Sequence, residues 1–178
     1  MINEKIHNDK DILRARAQAL ARPLNSPSQA EATLDLLEFR LAQERYALET
    51  RWVREVTTFS ELTPVPCCPA FVLGIVNVRG RIVPVLDIKR FFDLPEKGLT
   101  DLHRIVLVGG NGMELGILAD TIVGLRTIPA KELEDTLTSL TGVRGEYLKG
   151  VTAERLIVID LGRILADPKI IVHEEVET

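Results

Sequence analysis

The side chains able to do chemistry in this chain are few, and their spacing builds none of the usual reaction centres. Cys67 and Cys68 are adjacent. Reactive pairs usually occur as Cys-X-X-Cys near a helix start, where one thiol is activated. Neighbouring thiols read instead as structural or unreactive, and the enzyme they leave open is a thiol oxidoreductase. His7, His103 and His173 are scattered along the chain, none with a partner at metal-ligand or triad spacing. No metal and no cofactor are therefore expected. Gly109-Gly110-Asn111-Gly112 resembles a phosphate loop only in composition. A P-loop needs Gly-Lys-Ser/Thr opening a helix, whereas Met113-Glu114-Leu115 opens a strand, and Gly116 comes one place late for the dinucleotide fingerprint. Gly-Asn-Gly is a hairpin turn on this reading. Asp87 and Asp160 each stand where a strand enters a helical turn, which suits an N-cap better than an acid–base pair. The acidic stretch Glu174-Glu175-Val176-Glu177 reads as a solvated tail. A chain with no assembled catalytic set points to a binding module rather than an enzyme.

The elements that must position a binding surface begin with GIVNVRGRIVPVLDI, residues 74–88. Two apolar β-type runs, Ile75–Val78 and Ile82–Leu86, flank Arg79-Gly80-Arg81. Branched side chains pack well on a pleated surface, and Gly80 supplies the backbone freedom of a tight reversal. The segment therefore reads as strand, arginine-bearing turn, strand. Pro84 cannot donate to a ladder, which predicts an edge or a bulge there.

The totals bound what else is possible. At 178 residues the chain fits one domain or two small subdomains sharing a core. Apolar residues make up 46% and aromatics 4%, so the core must be mostly Val, Ile and Leu. No apolar run approaches the roughly 20 residues of a membrane helix, and the start, MINEKIHNDKD, carries no secretory signal pattern. Adjacent cysteines make no useful cross-link, which fits a reducing compartment. A net charge of −4 without a basic block argues against a nucleic-acid or anionic-membrane surface. A nucleic-acid-binding small barrel would offer basic grooves and stacking aromatics, and there is little of either.

Along the chain, Asp9 to Arg22 reads as a helix. Asn8 or Asp9 caps it, arginines collect toward its end and Pro23 stops it. Leu13, Ala17, Leu20 and Leu24 form a narrow apolar stripe that needs either the adjacent barrel or a partner to cover it. A polar linker follows, PLNSPSQAEAT. From Leu34 the period becomes strand-like, with Leu37, Phe39 and Leu41 alternating with Glu38, Arg40 and Ala42. YALET and the run Trp52 to Phe59 continue it. Pro64, Pro66 and Pro69 then impose an extended loop before the 74–88 hairpin and a short helix at Ile88–Phe92. A second hairpin turns at Gly-Asn-Gly. After a polar loop, YLKGV and RLIVID read as strands and LGRILAD as a last helical turn. The second half repeats the first. ERYALETRWVREV, residues 44–56, lies over MELGILADTIVGL, residues 113–125, without a gap. Gly74 matches Gly150 and Asp87 matches Asp160, the pattern of a duplicated small barrel.

From about Leu37 to Asp167 the chain resembles the CheW family of chemosensory coupling proteins. FRLAQERYALE, VREV, LTPVPCCPAFVLGIVNVRGRIVPVLDI, MELGILADTIVGL and YLKGVTAERLIVIDLGRIL follow one another in family order. The resemblance implies a mainly β fold of two SH3-like five-stranded β-barrel subdomains packed together, here with an N-terminal α-helix. The expected layout is helix and linker at 1–33, a CheW-like domain at 34–167 and a tail at 168–178. Its barrels fall at about 34–94 and 99–167, with strands exchanged at their junction allowed. It also implies a non-catalytic, cytoplasmic adaptor in membrane-bound receptor arrays. Its partners are the cytoplasmic tips of methyl-accepting chemoreceptors and a CheA-type histidine kinase, with no nucleic acid and no membrane insertion. Family receptor-binding positions fall on Val53, Glu55, Gly74 and Arg79. A glycine at 74 would let a receptor helix approach the backbone. Arg79 would make a forked contact with a carboxylate or a helix-end carbonyl, with Glu55 holding it in place. The Leu13/Ala17/Leu20 stripe is a possible partner-docking helix.

Overall fold

The computed structural model describes residues 32–58, 61–94, 103–110, 112–134 and 145–170. The expected helix with Leu13, Ala17 and Leu20 lies outside the described residues, as do His7, His173 and the acidic tail. The described chain is mainly β. Its strands are β1 (Thr33–Leu41), β2 (Glu44–Glu49), β3 (Val53–Thr58), β4 (Val72–Val78), β5 (Arg81–Leu86), β6 (Arg104–Gly110), β7 (Met113–Ala119), β8 (Thr121–Pro129), β9 (Leu148–Val151) and β10 (Leu156–Ile159). Helical turns at Ile88–Phe91 and Leu161–Ala166 follow β5 and β10.

These strands form two five-stranded sheets, ordered β8-β1-β2-β10-β9 and β3-β6-β7-β5-β4. Replacing each strand by its counterpart five places along the chain turns one order into the other. Each sheet thus takes the last three strands of one sequence repeat and the leading hairpin of the other. The local details repeat as well. Each sheet contains one parallel pair, β10 on β2 and β5 on β7. Each has a bulge at a corresponding step, Glu38/Phe39 against β8 and Val53/Glu55 against β6.

Burial explains why so many strands read as continuous apolar runs. One small core lies within the first sheet, around Leu36, Ala47, Ile128, Leu156 and Val158. Another lies within the second, around Val76, Val83, Val85, Ile105, Leu107 and Leu118. A larger core joins the two and includes Phe39, Tyr46, Leu48, Val106, Leu115, Ile117, Ile157 and both helical turns. Strand β6 shows the logic: Ile105 and Leu107 face its own sheet's core while Val106 and Val108 face the shared one. With both faces buried, alternation of apolar and polar residues gives way to an unbroken run. Packing is therefore the source of stability here, through area removed from water and dense contact.

The helical turns are capped as their sequences suggest. Asp87 accepts a hydrogen bond from the Lys89 N–H at 2.9 Å and Asp160 one from the Arg163 N–H at 3.2 Å. A buried ionic cluster ties the first of these turns to the rest. Lys89, 1% exposed, reaches Asp120 at 2.6 Å, and His103 Nε2 lies 3.1 Å from the same carboxylate. The Ala42 N–H donates to the other Asp120 oxygen at 2.7 Å. Burial pushes the Asp120 carboxyl up. The Lys89 hydrogen bond, the Ala42 N–H and the charges of Lys89 and His103 outweigh that and hold it below its ordinary value.

Candidate protein-docking surface

The surface centres on the second sheet. Strand β3 lies at one end of its strand order and β4 at the other. Closure of the sheet on itself brings the two ends together. Thr63, shortly after β3, pairs with Ile75 on β4 through N–H···O bonds of 2.9 and 2.8 Å. Gly74 makes that closure possible. Its φ is +148°, a conformation L side chains rarely adopt, and a Cβ there would stand 2.3 Å from the Thr63 carbonyl oxygen. Gly74 is buried, and the close approach it permits is made by the chain itself.

The β4–β5 hairpin turns on Arg79 and Gly80 between the partners Val78 and Arg81. Both turn residues have positive φ, +51° and +85°, the geometry of a type I′ turn. Gly80 donates its N–H to the Asn77 side-chain oxygen at 2.8 Å. Arg79 occupies a place that Asn, Asp or Gly usually fills, at a cost in backbone strain. Its side chain is 79% exposed, and its Nη1 lies 3.0 Å from Glu55 Oε2 on β3. The side chain of Glu55 is 24% exposed, yet its Oε1 is enclosed and has no hydrogen-bond partner among the described residues.

Of the four residues singled out from sequence, the structure brings Glu55 and Arg79 into contact and places Gly74 further along β4, against Thr63, as a closure point. Val53 lies across the β3 bulge from Glu55. It packs on the shared core and lines a hollow of about 430 Å³ with Leu36 of β1 and Leu125 of β8. Sequence reasoning missed a second feature. The prolyl loop folds beside the β4–β5 hairpin, and Pro66, Cys67, Cys68, Ile75, Pro84 and Met113 line an apolar groove of about 600 Å³. The extended loop was readable from Pro64, Pro66 and Pro69, but not the surface it would cover. Cys67 and Cys68 are both free thiols on this groove. Among the described residues, no group of three or more His, Cys, Asp or Glu is placed to hold a metal ion.

The CheW-like domain family model matches residues 35–169. The chain belongs to the CheW-like domain family. The chemotaxis protein CheW of Treponema pallidum is 28% identical over 76% of this chain and 84% of its own length. Protein FrzA of Myxococcus xanthus is 32% identical over 60% of this chain and 66% of its own. Among solved structures, the scaffolding protein TtCheW from Thermoanaerobacter tengcongensis superposes with a TM-score of 0.67 at 28% identity, covering 77% of this chain and 90% of that one. The residues matched by the family model reach into both sheets.

Within this CheW-like domain the two sheets share a frame but not a surface. Glu55 on β3 has Gly124 as its counterpart on β8 in the ungapped alignment. The other sheet reverses the charges. Its strand carries the cation, Arg126, and its β9–β10 turn the anion, Glu154, at 2.7 Å. Strand β8 also leaves Val123 and Leu125 exposed, at 53% and 78%. No helix among the described residues is long and apolar enough to cross a membrane.

Proposed function

We propose that this chain is a non-catalytic adaptor that couples the cytoplasmic tips of methyl-accepting chemoreceptors to a CheA-type histidine kinase, in the cytoplasm beneath membrane-bound receptor arrays. Membership of the CheW-like domain family supports the adaptor role. The observation that carries the receptor side is the Glu55–Arg79 contact on the second sheet. The pair is exposed enough to contribute little to stability, and the equivalent strand position in the other sheet is a glycine, so the pair is particular to this sheet. A charged pair held on a strained, exposed hairpin is available for a partner. Gly74 contributes by closing the sheet that carries it, and Val53 extends the surface toward the first sheet. Two sheets of one frame with different side chains suit a bridge, because each can engage a separate protein.

The test is co-purification of the full chain, tagged, from its native cell. Chemoreceptors and a histidine kinase should be recovered together, and kinase activity in reconstituted receptor membranes should depend on the chain. Recovery of neither partner would overturn the reading. The N-terminal stripe Leu13, Ala17 and Leu20 belongs to the proposal as a further docking element. Deleting residues 1–30 and repeating the co-purification checks it: unchanged recovery of both partners would remove it.

A further inference from the structure

Glu55 Oε1 is an acceptor with lone pairs to satisfy, and leaving such a group enclosed and unpaired is costly. Its sister oxygen lies 3.0 Å from Arg79 Nη1 in an ion pair. The frame does not repeat the arrangement, since the corresponding strand position in the other sheet is Gly124, whose φ of +151° favours glycine. Most of the Arg79 side chain meanwhile faces solvent, with donors to spare on its guanidinium. An unused acceptor and unused donors thus stand side by side at the surface proposed to meet the receptor.

We infer that Glu55 and Arg79 together read a neutral carboxamide, an Asn or Gln side chain on the docking partner, whose NH2 donates to Glu55 Oε1 and whose C=O accepts from Arg79. This rests on the reading of this surface as a receptor-docking face. Charge decides the class of ligand. A partner carboxylate would suit Arg79 but confront Glu55. An ammonium or guanidinium would suit Glu55 but confront Arg79. Like-charge juxtaposition is a strong source of discrimination. A carboxamide presents its donor and its acceptor on separate atoms, as the pair does, and carries no charge to oppose either member. The terminal torsion of Glu is broad and soft, and the side chain is 24% exposed, so a small rotation turns Oε1 toward the partner. The hydrogen bond missing in the free protein is then made only in the complex, which concentrates its effect on recognition.

The experiment titrates the full chain with the cytoplasmic signalling fragment of a chemoreceptor from the same cell. Each Asn of the fragment's tip is changed singly to Asp and each Gln to Glu. Every fragment is measured against the wild-type chain and against Glu55→Gln, which keeps the shape and removes the charge; emission of Trp52, the single tryptophan, checks that the variant is folded. At one tip position the acidic substitution should weaken binding to the wild-type chain about tenfold or more, as loss of a charge-assisted hydrogen bond does. Glu55→Gln should restore most of that loss, because glutamine can donate to the new carboxylate. Wild-type binding with no tip position coupled to residue 55 overturns the carboxamide assignment alone. A fragment that fails to bind the wild-type chain overturns the docking-face reading, and this inference with it.

Discussion

Gly74 and Gly150 do the same job in the two sheets. Their φ angles are +148° and +155°, and a Cβ would lie 2.3 Å from the Thr63 carbonyl oxygen at one and 2.6 Å from that of Glu134 at the other. Each lets a preceding segment bridge to the residue that follows it, Ile75 or Val151. Substitution by alanine brings both backbone strain and a clash with backbone, which has little room to yield. Gly74→Ala and Gly150→Ala should each lower stability by about 3 kcal/mol, measured by urea unfolding. Wild-type stability in either would mean that the sheet closes without needing the glycine.

Arg79 should behave in the opposite way. It is exposed and makes one ion pair, so Arg79→Glu should change stability by less than about 1 kcal/mol. Receptor-fragment binding should weaken by about 2 kcal/mol or more, because a carboxylate acceptor replaces the donors that Arg79 offers the partner. Kinase recovery should persist. A variant that binds receptor normally would remove Arg79 from the surface, and one that fails to fold would make it structural.

The Lys89–Asp120–His103 cluster predicts an acid-sensitive contribution. The folded carboxyl of Asp120 titrates below its ordinary value. Its contribution is therefore present above the unfolded value of about 4 and lost as pH falls through the lower folded value. Asp120→Asn should leave the buried Lys89 without its counter-ion at a cost of about 3 kcal/mol near neutral pH. The gap between variant and wild type should then narrow as the solution is acidified below pH ~4. Denaturant midpoints of the two proteins across that range provide the measurement, and a gap that widens on acidification would reverse the assigned sign.

Trp52 sits in a socket made by glycine. A Cβ on Gly110 would lie 2.3 Å from the indole Cζ3, and Arg51 stacks over the ring at 5.2 Å. Gly110→Ala should push the indole outward, shift its emission to longer wavelength and lower stability by about 1–3 kcal/mol. An unshifted spectrum would show that the socket is looser than its contacts imply.

Much of this was legible in the sequence because it is local. The Gly74/Gly150 and Asp87/Asp160 anchors survive in both repeats since a positive φ and an N-cap each demand a short list of residue types. Arg79-Gly80 between two β-type runs announces its turn. The exchange of hairpins was not readable in detail. It depends on which sheet β1, β2, β6 and β7 join, and a strand's pattern of apolar residues marks the faces it buries, not the strands it pairs with. The Asp120 cluster left no motif because Lys89, His103 and Asp120 meet only after the sheets pack. The contact of Glu55 with Arg79 was expected through family resemblance, whereas the unpaired state of Oε1 depends on enclosure, a property of the folded surface.

The reciprocal placement of hairpins gives one chain the topology of a domain-swapped dimer whose two protomers have been joined end to end. Strands β1 and β2 complete a sheet begun by β8 to β10, while β6 and β7 complete the one begun by β3 to β5. Neither half can finish a sheet from its own strands. A chain cut between Leu94 and His103 should therefore give two fragments that are poorly ordered alone and regain structure on mixing. The intact chain should melt in one step, and a partner that grips one sheet stabilises the other through the shared hairpins.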